Sequence, residues 1–280
     1  MEIVKHTWYT LKNIALIFNN ETGSTAELFW TYLKLRIKYL VLVKILRMNI
    51  MREKIFGFEI HFFTYQIFLF MFEEIFISKE YQFTAKTERP LIFDCGSNVG
   101  TALIFFKRLY PHATILAFEP DKRTFDLLRK NVEINKFTDV RLYNNALFNR
   151  EEVIDFYTDP ENPGSLMMST QKDRLPKERN AIQALPLSKF IDRPVDFIKM
   201  DIEGVESLVI DELSEKQKFG FIGEMCIEYH HHIKPDDDAL SGMLKTLEKN
   251  GLRYQLCSYL KPPFKRDQFQ DILIYAYRKQ

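Results

Sequence analysis

The sequence lacks the features that mark several large classes of protein. It has three cysteines in 280 residues, Cys95, Cys226 and Cys257, widely spaced and with no C-x-x-C pair. An odd, scattered set argues against a disulfide framework or a thiolate metal cluster. Each cysteine lies in an apolar stretch that reads as a strand, so buried reduced thiols are expected. No apolar run reaches the ~18 residues of a membrane-spanning helix. Residues 33–50 and 60–77 come closest, and charged side chains interrupt both. The first ten residues lack the basic, apolar and small-residue order of a signal peptide, so a cytoplasmic protein is expected. Asn20-Glu21-Thr22 fits a glycosylation sequon, a common chance triplet that the cysteines weigh against. Neither charge sign dominates: 39 Lys and Arg face 38 Asp and Glu, for a net +1. That excludes the strongly basic footprint of a nucleic-acid binder, and no such partner is expected.

What remains is ordinary globular composition, 46% hydrophobic and 28% charged. The length suits one large domain or a domain with a small extension. The 25 phenylalanines fall mostly in the first half. The pattern changes near Thr87-Glu88-Arg89-Pro90. Beyond it, short apolar runs alternate with helical patterns, the signature of βαβ units around a parallel sheet. Core strands are predicted at 91–95, 114–118, 140–144, 197–200 and 221–228, with an extra edge strand at 153–157. Helices are predicted at 99–109, 122–135, 205–213 and 237–250, with Asp121 as an N-cap and Gly251 as a C-terminal stop. Strands at 253–259 and 272–277 have no helix between them and should pair antiparallel at a sheet edge. Residues 1–53 read as a helical extension, 54–62 as a strand or hairpin, and 63–77 as a helix on the sheet.

The chemistry concentrates at strand ends. Asp94-Cys95-Gly96-Ser97-Asn98-Val99-Gly100 follows a strand and opens a helix. Glycines there permit a tight turn and close backbone approach, and the helix aims its free amides at the same place. Glu119 ends the next strand, where a carboxylate suits a ribose diol. The loop has the form D-x-G-x-N-x-G rather than G-x-G-x-x-G. Together with Phe118-Glu119-Pro120 and Lys199-Met200-Asp201-Ile202-Glu203-Gly204-Val205-Glu206, it resembles the FkbM-type methyltransferases. Residues 185–191, Phe72 to Phe76 and Lys79-Glu80-Tyr81 extend the resemblance to roughly 55–280.

The resemblance implies a Rossmann-like class I methyltransferase fold: a mostly parallel seven-stranded sheet with an antiparallel C-terminal strand, plus the N-terminal helical extension. The methyltransferase domain would cover 54–280, its Rossmann-like core starting near 90. It implies S-adenosylmethionine as methyl donor and an O-methyl transfer, often to a sugar or a polyketide-type hydroxyl; the acceptor expected here is a hydroxyl of a sugar, glycan or glycolipid. By position, Asp94, Gly96, Asn98 and Gly100 would shape the methionine end, Glu119 would hold the ribose, and Asn145 and Ala146 would lie beside the adenine. Asn144 is an open rival to Asn145.

The acceptor end is read from residue chemistry. Asp201, Glu228 and His230 end neighbouring strands, and O-methylation needs a base. His230 is the first choice because free imidazole titrates near neutrality; Asp201 and Glu228 follow. A metal-assisted variant stays open, with Mg²⁺ on Asp201, Glu203 and Glu228. Consecutive His230, His231 and His232 cannot share one ion on a straight strand. Glu206 reads equally as a local cap. Residues 160–180 form a long polar segment, either a lid or a plain surface loop. The basic apolar stretch 33–54 either lies on a membrane surface or is a core helix whose lysines reach solvent. Two other functions stay open: a nicotinamide-dependent oxidoreductase, and a non-catalytic donor-binding module at a membrane.

Overall fold

The computed structural model describes residues 2–19, 25–161, 163–171, 177–233, 239–258 and 269–278, with side chains from residue 9 onward. The expected sequon at 20–22, the start of the 237–250 helix and Tyr259 lie outside the described residues, as do 162 and 172–176 of the long polar segment.

Two helices open the chain, α1 (Glu2–Asn19) and α2 (Thr25–Lys38), and a π-helical turn, Tyr39–Ile45, extends α2. A hairpin follows, β1 (Arg52–Ile55) and β2 (Phe58–His61). The expected boundary at 53/54 falls inside β1. Then come α3 (Tyr65–Phe72) and a second π-helical turn, Glu73–Ile77. The alternating part runs β3 (Leu91–Cys95), α4 (Thr101–Leu109), β4 (Thr114–Phe118), α5 (Lys122–Ile134) and β5 (Val140–Tyr143). After it lie β6 (Ala146–Phe148), β7 (Glu152–Thr158), β8 (Glu178–Pro186) and β9 (Val195–Met200). The chain closes with α6 (Glu206–Glu215), β10 (Ile222–His231), α7 (Leu240–Lys249), β11 (Leu252–Ser258) and β12 (Gln270–Arg278).

The central sheet has seven strands in the order β11-β12-β10-β9-β3-β4-β5. Only β12 runs against its neighbours, as expected for the last strand. The order reverses at β3, which pairs with β4 on one side and β9 on the other. Such a switch point opens a crevice at the carboxyl ends of the strands. Side chains alternate across the sheet. Ile92 enters one core with α4 and the N-terminal helices, whereas Leu91, Phe93 and Cys95 enter the other with α6 and α7.

The expected strand at 153–157 exists, but as β7 of a separate three-stranded sheet, β6-β8-β7. Its partner β8 was not anticipated. β8 is half exposed and its apolar positions are few, so its periodicity is faint. Cys95 and Cys226 are buried; Cys257 is exposed, contrary to expectation, because β11 is an outer edge strand. Among the described residues no helix is long and apolar enough to cross a membrane.

The N-terminal helices share a core with the sheet. Ile17, Tyr32 and Leu35 bury into the same cluster as Ile92 and Ile115. An aromatic series, Phe62, Phe68, Phe72 and Phe76, links the hairpin to Phe105 of α4. Polar ties add direction: Arg36 of α2 meets Glu73 at 3.5 Å, and the Tyr32 hydroxyl donates to the same carboxylate.

The tightest tie is a side-chain ladder between α5 and β2. Asn135 accepts from the Glu59 amide at 2.8 Å and donates to the Glu59 carbonyl at 2.6 Å. One helical turn earlier, Asn131 makes the same pair with His61, both at 2.8 Å. Four residues of helix rise ~6 Å and two residues of strand ~6.6 Å, so the repeats match. Asn131 also donates to the Val99 carbonyl at 2.8 Å. Replacing Asn131 with Ala strands three buried backbone groups. We expect Asn131→Ala to lower the unfolding free energy by ~2–4 kcal/mol in urea titration; a change within ~0.5 kcal/mol would show the ladder to be incidental.

Candidate active site

The loop after β3 is pressed onto the end of β9. Gly96 has φ +83°, and a Cβ there would sit 1.8 Å from the Asp201 carbonyl oxygen. No other residue fits that approach. The Asp201 amide donates to the Cys95 carbonyl at 3.0 Å, so the two strand ends lock together. Gly100, at φ +92°, starts α4 against Leu128. Asn98 also adopts a left-handed φ of 47°, a conformation asparagine tolerates better than most residues. Its side chain accepts from the Val99 amide at 2.8 Å, and its own amide donates to Glu119 Oε2 at 2.9 Å.

Glu119 is buried at the end of β4. Its Oε1 accepts from the Asp121 amide at 2.9 Å. Burial pushes its carboxyl up to about 8, with those two amides pulling the other way. Each oxygen keeps a second lone pair for an incoming hydroxyl. Asp94 is fully buried, and neither carboxyl oxygen has a hydrogen-bond partner among the described residues. The nearest cation is Lys199 Nζ, 3.8 Å from Oδ1.

Lys199 was quoted in the motif but given no role. Its ammonium lies under the loop, donating to the carbonyls of Cys95 and Gly96 and to Asp201 Oδ2. Burial would discharge it; the charges of Asp201, Asp94 and Glu228 outweigh that and hold it protonated.

One cavity of about 790 Å³ joins these parts. Gly96, Asn98, Glu119, Asn145 and Ala146 line one end; Asp201, Glu203, Glu228 and His230 line the other. Asp94 and Gly100 stand behind the wall. Asn144 is spent on the carbonyls of Glu119 and Pro120, so Asn145 is the asparagine that faces the cavity. Part of the long polar segment reaches the site as well. Ser165 and Thr170 line the cavity, Asn98 Nδ2 reaches the Gly164 carbonyl at 3.5 Å, and the Ser169 hydroxyl donates to the Glu203 carbonyl.

At the other end His230 is wrapped in carboxylates. Nδ1 meets Glu206 Oε1 at 2.8 Å; Nε2 lies 3.1 Å from Glu203, 3.7 Å from Asp201 and 4.0 Å from Asp271. Burial would lower its pKa, but Glu206 and Glu203 dominate and raise it to about 10. The neutral imidazole expected of a base is therefore an imidazolium in this arrangement, with no lone pair to accept a proton. Glu206 has a dual role: it holds His230 and accepts from the Ile202 and Gly204 amides. Asp201, Glu203 and His230 offer ligand atoms within 4.8 Å of one another, as do Glu228, His230 and Asp271. The anticipated trio of Asp201, Glu203 and Glu228 is thus split between two sets.

Glu74 and Glu80, which lie in the segments that extend the resemblance but carry no role in the sequence reading, enter the cavity from the second π-helical turn and the segment after it. The available signal was a charged pair, Glu73-Glu74, inside an otherwise apolar run. Burial, then the charges of Glu80, Glu228 and Asp201, push Glu74 up to about 10; burial and Asp201 push Glu80 up to about 7. A carboxyl with a raised folded-state pKa contributes stability below its unfolded value of about 4.5 and loses it as pH rises through the folded value. Glu80, Glu119 and Glu74 share this sign, and His230 adds to it between 6.5 and about 10. The unliganded protein should therefore lose thermal stability steadily as pH rises from about 5 to about 9. A midpoint that climbs over that range would contradict the crowded-carboxylate geometry.

Comparisons with known proteins identify the family. Residues 94–254 match the model of the methyltransferase FkbM domain. "Methyltransferase 1" of Beauveria bassiana (strain ARSEF 2860) is 26% identical over 169 residues, covering 52% of this chain and 68% of that protein. "Methyltransferase sdnD" of Sordaria araneosa is 29% identical over 136 residues, covering 48% of this chain and 52% of the relative. The crystal structure of methyltransferase FkbM from Methylobacillus flagellatus KT superposes with a TM-score of 0.43 at 19% identity, over 68% of this chain and 44% of that one. The match begins at Asp94, runs through Glu119 and Asp201, and spans more than half of the chain; the protein belongs to the FkbM methyltransferase domain family.

Proposed function

We propose that this protein is an S-adenosylmethionine-dependent O-methyltransferase acting on a hydroxyl of a sugar, glycan or glycolipid. The observation that carries the reading is the single cavity in which a glycine loop and Glu119 face a carboxylate cluster. The donor fits the residues present. Glu119 keeps lone pairs for a ribose diol, Asn145 and Ala146 border the adenine end, and the loop backbone at Gly96 lines the cavity between them. Asp94 supplies fixed negative charge behind the methionine end. When bound, the donor supplies a methyl group on a positively charged sulfur.

The chain's own residues then have three tasks. The loop and Glu119 fix the donor's position and orientation. The carboxylates of the acceptor end accept hydrogen bonds from a polyhydroxyl compound. Asp201, with Oδ1 buried and lacking a hydrogen-bond partner, takes the proton of the reacting hydroxyl. Glu228 lies beside it, its pKa raised by burial and by the Asp201 charge. His230, charged by Glu206 and Glu203, orients these carboxylates. Family membership favours this reading over hydride transfer. The two three-residue ligand sets support a second version, in which Mg²⁺ held by Asp201 and Glu203 would displace the His230 proton, take Nε2 as a third ligand and acidify the hydroxyl; turnover abolished by a chelator and restored by Mg²⁺ would select it.

Isothermal titration with S-adenosylmethionine tests the donor. Wild-type protein should bind, and Glu119→Ala should weaken binding about 10–100-fold, since a hydrogen bond to a charged group is worth ~1.5–3 kcal/mol. A folded wild type that binds no donor, with or without Mg²⁺ and acceptor, would sink the proposal. In a methyl-transfer screen over sugars and glycolipids, Asp201→Asn should retain donor binding and cut turnover about 100-fold or more. Equal turnover would remove Asp201 as the base.

A further inference from the structure

The chain from Leu28 to Arg52 contains no Asp or Glu and six basic residues: Lys34, Arg36, Lys38, Lys44, Arg47 and Arg52. The whole protein carries only +1, so its remainder is net acidic. The structure divides this segment into two faces. Tyr32, Leu35, Arg36 and Tyr39 are buried against the body. On the outer face Trp30 is 65% exposed, Ile37 52%, Val41 42% and Ile45 71%. Steps of seven, four and four residues keep these four on one side of α2 and its π-helical extension. Leu46 and Met48 continue the exposed apolar strip. Lys34 and Lys38 share the single carboxylate of Glu53, whereas Lys44 and Arg47 stand exposed among the apolar side chains.

We propose that this face docks the protein on an anionic lipid bilayer. Exposed tryptophan and aliphatic side chains on one stripe, flanked by lysine and arginine and with the acid of α2, Glu27, paired to Arg108 at 2.7 Å, complement a headgroup layer of negative charge. Tryptophan favours the depth at which such a helix lies. Long basic side chains reach the phosphates while their stems cover apolar surface. The inference stands apart from the methyl-transfer reading, save for one consequence that rests on it. Tyr39 of the π-helical turn stacks on Tyr65 at the start of α3, and the exposed Phe70 near the other end of α3 lines the cavity. Helix α3 thus runs from the buried side of the docking element to the cavity wall, and docking would hold the cavity's owner at a surface where hydroxyls are carried on lipids.

The test is co-sedimentation of the full chain with phosphatidylcholine vesicles and with vesicles that also contain phosphatidylglycerol. Binding is expected only to the anionic vesicles and should weaken as salt is raised. Lys44→Glu combined with Arg47→Asn should lower the partition coefficient about tenfold or more. Trp30→Ser combined with Ile45→Ser should lower it at unchanged charge. All four side chains are exposed, and circular dichroism with donor titration confirms that each variant remains folded. No binding to anionic vesicles, equal binding to neutral ones, or indifference to both variant pairs overturns the proposal. A dimer in size-exclusion chromatography that Trp30→Ser disperses would show that a second copy occupies the face, and also overturns it. Loss of donor binding with vesicle binding intact would reject only the enzymatic reading.

Discussion

The site is organised around one buried ammonium. Lys199 passes beneath the turn between β3 and α4, holds the Cys95 and Gly96 carbonyls, and neutralises Asp94 and Asp201 from one position. The same contact fixes the loop against β9, where the missing side chain of Gly96 lets the Asp201 carbonyl approach. The two ends of the cavity are therefore tied to one cation.

The second organising fact is crowding. Glu74, Glu80, Asp201, Glu203 and Glu228 line one cavity together, with the His230 imidazolium among them. Glu206, nearly inaccessible, anchors that imidazolium while closing the amides at the start of α6. Such concentration of like charge disfavours the unliganded fold and favours whatever brings positive charge or hydrogen-bond donors to it. A sulfonium, a polyhydroxyl compound and a divalent cation all meet that requirement, which is why charge alone leaves the acceptor open and the loop geometry must supply the rest.

Much of this was legible in sequence because the responsible residues act locally. Strands β3 and β4 were placed residue for residue, since a buried central strand is a short apolar run between breakers. Asp121 was identified as a cap from its position before an amphipathic helix, and it does accept from the Thr124 amide. The antiparallel last pair followed from the missing helix between two strands. What stayed hidden depends on partners distant in sequence. β8 has a weak pattern and exists because β7 and β6 flank it. Exposure of Cys257 follows from the edge position of β11. The charge of His230 comes from Glu203 and Glu206, a strand and a helix away, and free imidazole chemistry could not anticipate it.

The asparagine ladder between α5 and β2 bears on how this chain comes apart. Asn131 holds the hairpin by the His61 amide and carbonyl and, with the same amide group, the Val99 carbonyl in the loop after β3. Loosening the hairpin therefore withdraws support from the loop that shapes the cavity. The segment matched by the family begins at Asp94, yet the cooperative unit that opens and closes as one reaches back at least to Glu59. A fragment trimmed to the matched segment would keep the motif and lose the brace, and its amide protons near Val99 would exchange with solvent long before those of the central strands.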